Sequence, residues 1–358
     1  MSERSGSPPA AGPAAAAPSA DPARPLKRMA DSALYLAEIV GEEGLQGVRM
    51  QAGAILDTMD AVAGRVALAH SASPCVTLSF DRVDLTEPVL HGDLIRLDGR
   101  LASVGRSSMM IEVEVFRQDL MAREYVPVQR SYVTMVAIDG QRRPNRNIPG
   151  LRVETDEERA VHERAARYKA GMAGWQRMQD ESAVRRLSLA EVEEPLNAAK
   201  REFLRPEETV VTVRRVFLPR NINVLGTIFG GDILLWMDRV ATYCARRFTR
   251  NRNMVTLAMN RIVFEQPIFT SDLVELTARV VYVRRFTLEV ALDVTLQRPD
   301  GTRLRSHRGY FTVLNYDEIG FKRPILTGLK LAEEDQDGLR RFEQAKRRYH
   351  FWKEHQAG

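Results

Sequence analysis

The sequence predicts an α+β protein built from two copies of one unit, each a long central helix wrapped by an antiparallel sheet. The first observation is a repeat: Asp60 in "AILDTMDAVAG" matches Asp238 in "DILLWMDRVAT", 178 residues later. Val76 matches Val255 at an offset of 179, so the register hardly drifts along the repeat. The second observation is that each copy shows one helical apolar pattern followed by several strand patterns.

The chain divides into five parts by composition and repeat. The first is rich in Ala, Pro, Ser and Gly and lacks a continuous apolar core, which favours a disordered tail over a targeting segment. The predicted parts are a disordered tail (1–27), unit 1 (28–149), a partly helical linker (150–205), unit 2 (206–328) and a C-terminal helix (329–358).

The linker and the C-terminal part carry helix signals. Thr155 with Glu158, and Ser188 with Glu191, have the spacing of a capping box, which predicts two helix starts in the linker. The C-terminal run is basic and amphipathic. We expect it to pack on the body of the protein; contact with a membrane surface is the alternative.

Each unit reads as one helix and four strands. In unit 1 a helix is predicted over 54–70, and in unit 2 the helix that follows Gly231 is apolar almost all round, which predicts burial on most sides. Segments rich in Val, Ile, Phe and Thr follow each helix. The predicted strands are 75–85, 94–104, 108–117 and 129–138 in unit 1, and 254–264, 273–283, 287–296 and 308–316 in unit 2.

Composition narrows the function classes. The chain has 44% hydrophobic and 28% charged residues and a net charge of +5, and it contains no apolar run long enough to span a membrane. It lacks nucleic-acid-binding signatures, a G-x-S-x-G elbow and a dinucleotide fingerprint, and its six histidines show no metal-ligand spacing. We therefore expect no metal, cofactor or nucleic acid. The two lone cysteines, Cys75 and Cys244, favour a reducing compartment and a cytoplasmic location.

Several segments together resemble the double hotdog acyl-CoA thioesterases. They are "RVFLPRNINVLGTIFGGDILLWMD" and "VTLAMNRIVFEQPI" in unit 2, and "LQGVRMQAGAILDTMD" and "VTLSFDRVDLTEPVLHGDLIRLDGRLASVGRSSMMIEVEV" in unit 1. The resemblance covers about residues 30–140 and 205–320. It implies two hotdog units paired edge to edge and hydrolysis of fatty acyl-CoA to free acid and CoA. It also implies a homo-oligomer, such as a trimer of double hotdogs.

Asp60 and Asp238 are the candidate catalytic residues. Each lies in a helix that is otherwise built for burial, where a carboxylate is costly unless it is paired, hydrogen-bonded or open to a cleft. The alternative is an aspartate that caps a loop or pairs with an arginine. As a general base or nucleophile, it would act on a thioester. Gly230 and Gly231 would supply backbone N–H groups to the oxyanion at the helix N-terminus.

The resemblance implies two composite sites, because in this family the loop of one unit faces the helix carboxylate of the other. One joins Asp60 to the loop Asn223–Gly231, which also contains Thr227, and the other joins Asp238 to the loop Arg49–Gly53. The family has an Asn or Asp where these loops carry Thr227 and Arg49, and unit 1 has Ala52 in place of a glycine. We therefore expect the Asp60 site to be the active one.

The resemblance also suggests where CoA binds. The family holds CoA along the segment that matches "VGRSSM", so the candidates are Arg106, Ser107, Ser108 and, in unit 2, Arg284 and Arg285. Arginine suits phosphate because its fork donates two hydrogen bonds at once. A solvated strand end is the alternative for each arginine. A non-catalytic acyl-CoA sensor is the main alternative function, and a structural scaffold is a third.

Overall fold

In a computed structural model, the structure describes residues 24–42, 44–119, 121, 124–184, 186–192 and 200–355, without the side chains of 176–184 and 355. Most of the predicted tail lies outside these residues. Its last part was wrongly assigned, because β1 (Leu26–Arg28) pairs in parallel with β10 (Gly150–Arg152). The Arg24 guanidinium also donates to the carbonyl oxygens of Gly105 and Pro149. These bonds bring residues 24–27 into the folded body.

Two long helices occupy the centres of the two units. The helices are α1 (Ala52–Ser71), α2 (Asp156–Val184), α3 (Leu189–Val192), α4 (Gly230–Thr249) and α5 (Gln336–His355). The central helices are α1 and α4, and each is followed by a residue in the left-handed region, Ala72 (φ 50°) and Arg250 (φ 53°). Met59, Ala63 and Val66 of α1 are 0% exposed, as the apolar pattern predicts.

Each central helix is covered by a six-stranded antiparallel sheet. The sheet of unit 1 has the order β14 (Ile262–Val263), β5 (Cys75–Phe80), β9 (Val126–Ala137), β8 (Ser108–Gln118), β7 (Leu94–Val104), β2 (Leu34–Ile39). The sheet of unit 2 has the order β12 (Val211–Arg215), β15 (Leu273–Val283), β16 (Thr287–Gln297), β17 (Arg303–Asn315), β13 (Met254–Met259), β6 (Val83–Asp84). The units exchange a short strand, since β14 of unit 2 pairs with β5 and β6 of unit 1 pairs with β13.

Glycines allow the two central helices to approach closely. A Cβ on Gly53 would lie 2.7 Å from the Cα of Leu235, and a Cβ on Gly231 would lie 2.8 Å from the Cα of Asp57. Only glycine fits at such a distance. The contact places the first turn of each helix against the second and third turns of the other, where the repeated aspartates Asp60 and Asp238 lie.

Helices α2 and α5 cover the outer faces of the sheets, and the short helix α3 packs against α5. In α2, Val161 and Ala165 are buried beside Ala102 and Met110 of unit 1. Thr155 and Glu158 cap its start reciprocally, with N···O distances of 3.2 Å in both directions. At the second linker signal, the Ser188 amide donates to Glu191 Oε2 (2.9 Å) just before α3.

The C-terminal helix α5 packs on the sheet of unit 2. Leu339, Phe342 and Ala345 are at most 4% exposed, and the Phe342 ring lies 5.0 Å from the ring of Tyr282. Two further strand pairs lie outside the six-stranded sheets. They are β3 (Leu45–Gln46) with β4 (Arg49–Met50), and β11 (Glu202–Leu204) with β18 (Thr327–Leu329). None of the helices in the described part of the chain combines the length and the apolar character needed to cross a bilayer.

Candidate active site

Asp60 lies at the seam between the units and binds groups from both. It is 0% exposed. Its Oδ1 accepts a hydrogen bond from Thr77 Oγ1 on β5 (2.8 Å), and its Oδ2 accepts one from the backbone amide of Gly231 at the start of α4 (2.9 Å). This amide belongs to the first turn of α4 in the other unit. Because a helix N-terminus carries partial positive charge, it stabilises the Asp60 carboxylate.

Asp238 has the same arrangement in the other direction. It is 2% exposed, its Oδ1 accepts from Thr256 Oγ1 (2.5 Å), and its Oδ2 accepts from the amide of Gly53 (3.0 Å). Neither aspartate forms an ion pair with another described residue, which argues against the alternative of a structural Asp–Arg pair. The internal repeat therefore extends to the hydrogen bonds of the two buried acids.

The two acids differ in their electrostatic surroundings. Burial raises the pKa of Asp60 to about 7, against the lowering effect of the bonds from Thr77 and Gly231, and the nearby Asp57 raises it further. The pKa of Asp57 is itself raised to about 6, by burial and by Asp232. A proton can therefore move on and off Asp60 near neutral pH.

The pKa of Asp238 is also raised by burial, and the bonds from Thr256 and Gly53 oppose the shift. The positive charges of Arg239 and Arg246 add to that opposition. Asp238 therefore has a more electropositive setting than Asp60.

The two sites also differ in the residue that lies next to the carboxylate. A Cβ on Gly230 would lie 2.8 Å from Asp60 Oδ2 and 3.4 Å from Thr77 Oγ1. In unit 1 the position that matches Gly230 is Ala52, which has a Cβ and is buried. The backbone at the start of α4 can therefore approach Asp60 closely, whereas the matching position beside Asp238 carries a Cβ.

The loop residues Asn223 and Thr227 bind each other. Asn223 Nδ2 donates to Thr227 Oγ1 (2.9 Å), and Asn223 Oδ1 accepts from the amides of Leu225 (2.9 Å) and Thr227 (3.2 Å). The structure thus brings Gly230 and Gly231 to Asp60 and leaves Asn223 and Thr227 to fix the loop. A part for these two side chains in oxyanion binding stays a prediction.

The predicted CoA residues lie in two unlike turns. Arg106 is exposed, and Ser107 and Ser108 are half-buried, in the turn between β7 and β8. In unit 2, Arg285 is exposed, whereas Arg284 is half-buried with its Cζ 3.4 Å from the centre of the Tyr349 ring on α5. The turn of unit 1 is therefore the more accessible of the two to a ligand from solvent.

Sequence reasoning missed Thr77, Thr256 and Asp57. A signal for the two threonines was present, because "VTL" recurs at the repeat offset of 179 with the threonine in the same place. Asp57 lies one helical turn before Asp60. The matching position in unit 2 is the apolar Leu235, so an acid at position 57 is a visible difference between the two repeats.

Comparisons with known proteins bear on the family and the fold of the two units. The Thioesterase superfamily model matches residues 51–123 and 225–301. An uncharacterised acyl-CoA thioester hydrolase of Zymomonas mobilis is 35% identical over 124 residues, covering 35% of this chain and 83% of that protein. Acyl-coenzyme A thioesterase 11 of Mus musculus is 25% identical over 306 residues, which is 83% of this chain. The chain spans about half of the mouse protein (48%).

Among solved structures, an acyl-CoA hydrolase from Staphylococcus aureus in complex with butyryl coenzyme A, coenzyme A and coenzyme A disulfide is 27% identical, with a TM-score of 0.39. The match covers 44% of this chain and 99% of that one. The two matches to the family model fall on the two repeated units, and the Zymomonas relative is aligned over most of its own length. The chain therefore belongs to the thioesterase superfamily, with two hotdog units in tandem.

Proposed function

We propose that the protein hydrolyses fatty acyl-CoA thioesters to free acid and CoA, with Asp60 as its reactive carboxylate. The observation that carries the proposal is a buried, unpaired acid held against the N-terminus of the other unit's central helix. The names of its relatives, which are acyl-CoA thioesterases and thioester hydrolases, support acyl-CoA as the substrate class.

In the proposed reaction, Asp60 acts as general base or as nucleophile. As a base, ionised Asp60 takes a proton from a water molecule while the water oxygen bonds to the thioester carbonyl carbon. The carbonyl oxygen becomes an oxyanion at the start of α4, where the Gly231 amide already binds Asp60 and the Gly230 amide is the remaining glycine donor. The C–S bond then breaks, and the CoA thiolate takes the proton that Asp60 accepted from water, which restores the ionised carboxylate. As a nucleophile, Asp60 would attack the carbonyl carbon and expel the CoA thiolate, and water would cleave the resulting mixed anhydride.

The protonation of Asp60 suits either role near neutral pH. A pKa of about 7 leaves a substantial ionised fraction, and a base with a pKa close to the working pH is efficient. The hydrogen bonds from Thr77 and the Gly231 amide orient the carboxylate. Gly230 lets the backbone at the start of α4 approach the carboxylate, because a Cβ there would lie 2.8 Å from Asp60 Oδ2.

Binding, assembly and location complete the proposal. Arg106, Ser107 and Ser108 would contact CoA at the accessible turn of unit 1. Tandem units would assemble as a trimer, as the resemblance implies. A cytoplasmic location is supported by relatives such as the cytosolic acyl coenzyme A thioester hydrolase of Mus musculus, 22% identical over 322 residues, and by the free Cys75 and Cys244.

The test is CoA release from a panel of acyl-CoAs of increasing chain length, followed with a thiol reagent. The wild type should release CoA, and the double variant Asp60→Asn and Asp238→Asn should bind substrate without release. Tight binding by the wild type without release would instead show a non-catalytic acyl-CoA binding protein. Failure to bind any acyl-CoA would refute both functions.

A further inference from the structure

The turn that follows β9 holds an arginine in a costly backbone conformation. Arg142 has a φ of 61°, in the left-handed region that residues with a Cβ rarely adopt. Two backbone bonds close the turn, from the Arg142 amide to Asp139 O (2.9 Å) and from the Asp139 amide to Arg143 O (2.8 Å). The turn after β17 repeats both bonds and has Gly320, with a φ of 94°, at the matching position. Unit 1 therefore keeps an arginine where the repeat shows that glycine fits.

The Arg142 side chain crosses the seam to the other unit. Its Nη2 donates to the carbonyl oxygen of Leu225 (2.8 Å), and its Cζ lies 5.3 Å from the centre of the Phe269 ring. A guanidinium at that distance from an aromatic face is attracted to it. Both partners belong to unit 2, so one side chain of unit 1 contacts unit 2 at two points.

The bonded carbonyl lies at the tip of the loop Asn223–Gly231. Leu225 stands between two exposed residues. The Gly226 amide donates to the carbonyl oxygen of Asn223 (3.0 Å), so the tip closes on itself. Bonds within the tip fix its shape but not its position relative to unit 1. The bond from Arg142 joins the two units and supplies that position.

The same loop leads directly into the groups that hold the candidate acid. Gly231 donates to Asp60 Oδ2 (2.9 Å), and Gly230 lies five positions after Leu225. A displacement of the tip relative to unit 1 therefore moves both glycines relative to the carboxylate. A misplacement of about 1 Å at a reacting centre can lower a rate about 10²-fold.

The Asp238 site makes its seam contact with a different residue. Its turn has Gly320, which has no side chain to extend. The arginine comes from the loop instead, because the Cζ of Arg49 lies 5.2 Å from the centre of the Tyr316 ring. An arginine in the turn is therefore a feature of the Asp60 site.

We propose that Arg142 is a positioning residue that holds the loop Asn223–Gly231 against unit 1 at the Asp60 site, an inference that rests on the proposed function. This role explains the left-handed arginine, since strained backbone persists where surrounding contacts fix it and is frequent at functional sites. Arg142 lies outside the residues that the family model matches.

The experiment combines steady-state CoA release with amide hydrogen exchange of the full chain. Arg142→Gly removes the side chain and gives the turn the residue found in unit 2. Arg142→Lys keeps a long cationic donor. The matched control is Arg143→Gly, because Arg143 is exposed and donates to Asp139 within its own turn. Thermal denaturation is recorded for every variant.

We expect Arg142→Gly to lower kcat about tenfold and to leave KM within about twofold of the wild type. Exchange over residues 223–229 should become about fivefold faster, since a bond that holds the loop is lost. The Tm should stay within about 2 °C of the wild type, because glycine relieves the left-handed strain. Arg142→Lys should recover most of both losses, and Arg143→Gly should show neither.

Unchanged exchange over 223–229, or faster exchange with unchanged kcat, would overturn the proposal. So would equal losses in Arg143→Gly, or a fall in the Tm of Arg142→Gly of more than about 5 °C, which would show a general loss of structure. Exchange is measured without substrate. A wild type that releases no CoA would therefore refute the hydrolase proposal, while exchange would still decide whether Arg142 holds the loop.

Discussion

The two composite sites share one geometry and differ in what lies next to the acid. Asp60 and Asp238 each accept a hydrogen bond from a threonine hydroxyl of their own unit and from a glycine amide of the other unit. Beside Asp60, however, the helix start carries Gly230, where the other site has Ala52. The acids also differ in charge environment, because an acid acts on Asp60 and two arginines act on Asp238.

This contrast shows that a duplicated unit can keep the hydrogen bonds of a buried carboxylate while the surroundings that decide its chemical role change. The hydrogen bonds of a buried acid are needed for stability in both units, since an unpaired buried carboxylate is costly. A glycine beside the carboxylate and a pKa near neutrality are found at the Asp60 site and are not required for that stability. We therefore expect the Asp60 site to carry the reaction and the Asp238 site to be mainly structural.

The largest expected effect comes from comparing the two acids singly. Asp60→Asn should lower kcat for CoA release about 10³-fold, because an amide can act neither as base nor as nucleophile. Asp238→Asn should leave kcat within about twofold to threefold of the wild type. Loss of turnover in the Asp238 variant alone would reverse the ranking of the sites.

Thermal denaturation of Asp60→Asn provides the control for folding. The folded-state pKa of Asp60 is about 7, above its ordinary value of 3.8, so the folded state holds a proton that the unfolded state has lost between these pH values. The free energy of unfolding of the wild type therefore falls as pH rises toward 7. Above pH 7 the variant should melt at a temperature no lower than the wild type. A clearly lower Tm would mean that lost activity reflects lost structure.

A smaller effect is expected from changing the space beside the acid. Gly230→Ala gives the Asp60 site the residue found at the other site, and its Cβ would lie 2.8 Å from Asp60 Oδ2. We expect kcat to fall roughly 10- to 100-fold, because the carboxylate and the reacting oxygen must shift. The matched control, Ala52→Gly, should leave CoA release unchanged. Equal losses in both variants would show that the two sites work together.

The smallest effect concerns the threonines. The pH profile of kcat/KM should rise with a midpoint near 7, as Asp60 ionises. Because the Thr77 bond lowers the pKa of Asp60, Thr77→Val should move the midpoint upward by about one unit and reduce activity at pH 7 about fivefold. Activity should return at higher pH. Thr256→Val should leave the profile unmoved; a shift there and none in the Thr77 variant would assign the chemistry to Asp238.

Much of the architecture could be predicted from sequence, because it rests on local patterns. The constant repeat offset predicts two equivalent units, and the apolar periodicity predicts α1 and the long strands to within a few residues. For example, β7 (Leu94–Val104) matches its predicted range, and α1 begins two residues before its predicted start. The two aspartates could be singled out because they lie in helices predicted to be buried, where an unpaired carboxylate costs free energy.

Only the tertiary structure decided which groups meet. Thr77 and Gly231 are 17 and 171 positions from Asp60, and no local pattern reports a hydrogen bond over such a separation. The same applies to the pairing of Leu26 with Gly150, which shows that the folded part of the chain begins before residue 28. It also applies to the packing of Tyr349 over Arg284. Periodicity encodes which face of an element is buried, whereas contacts across a seam depend on how whole elements pack.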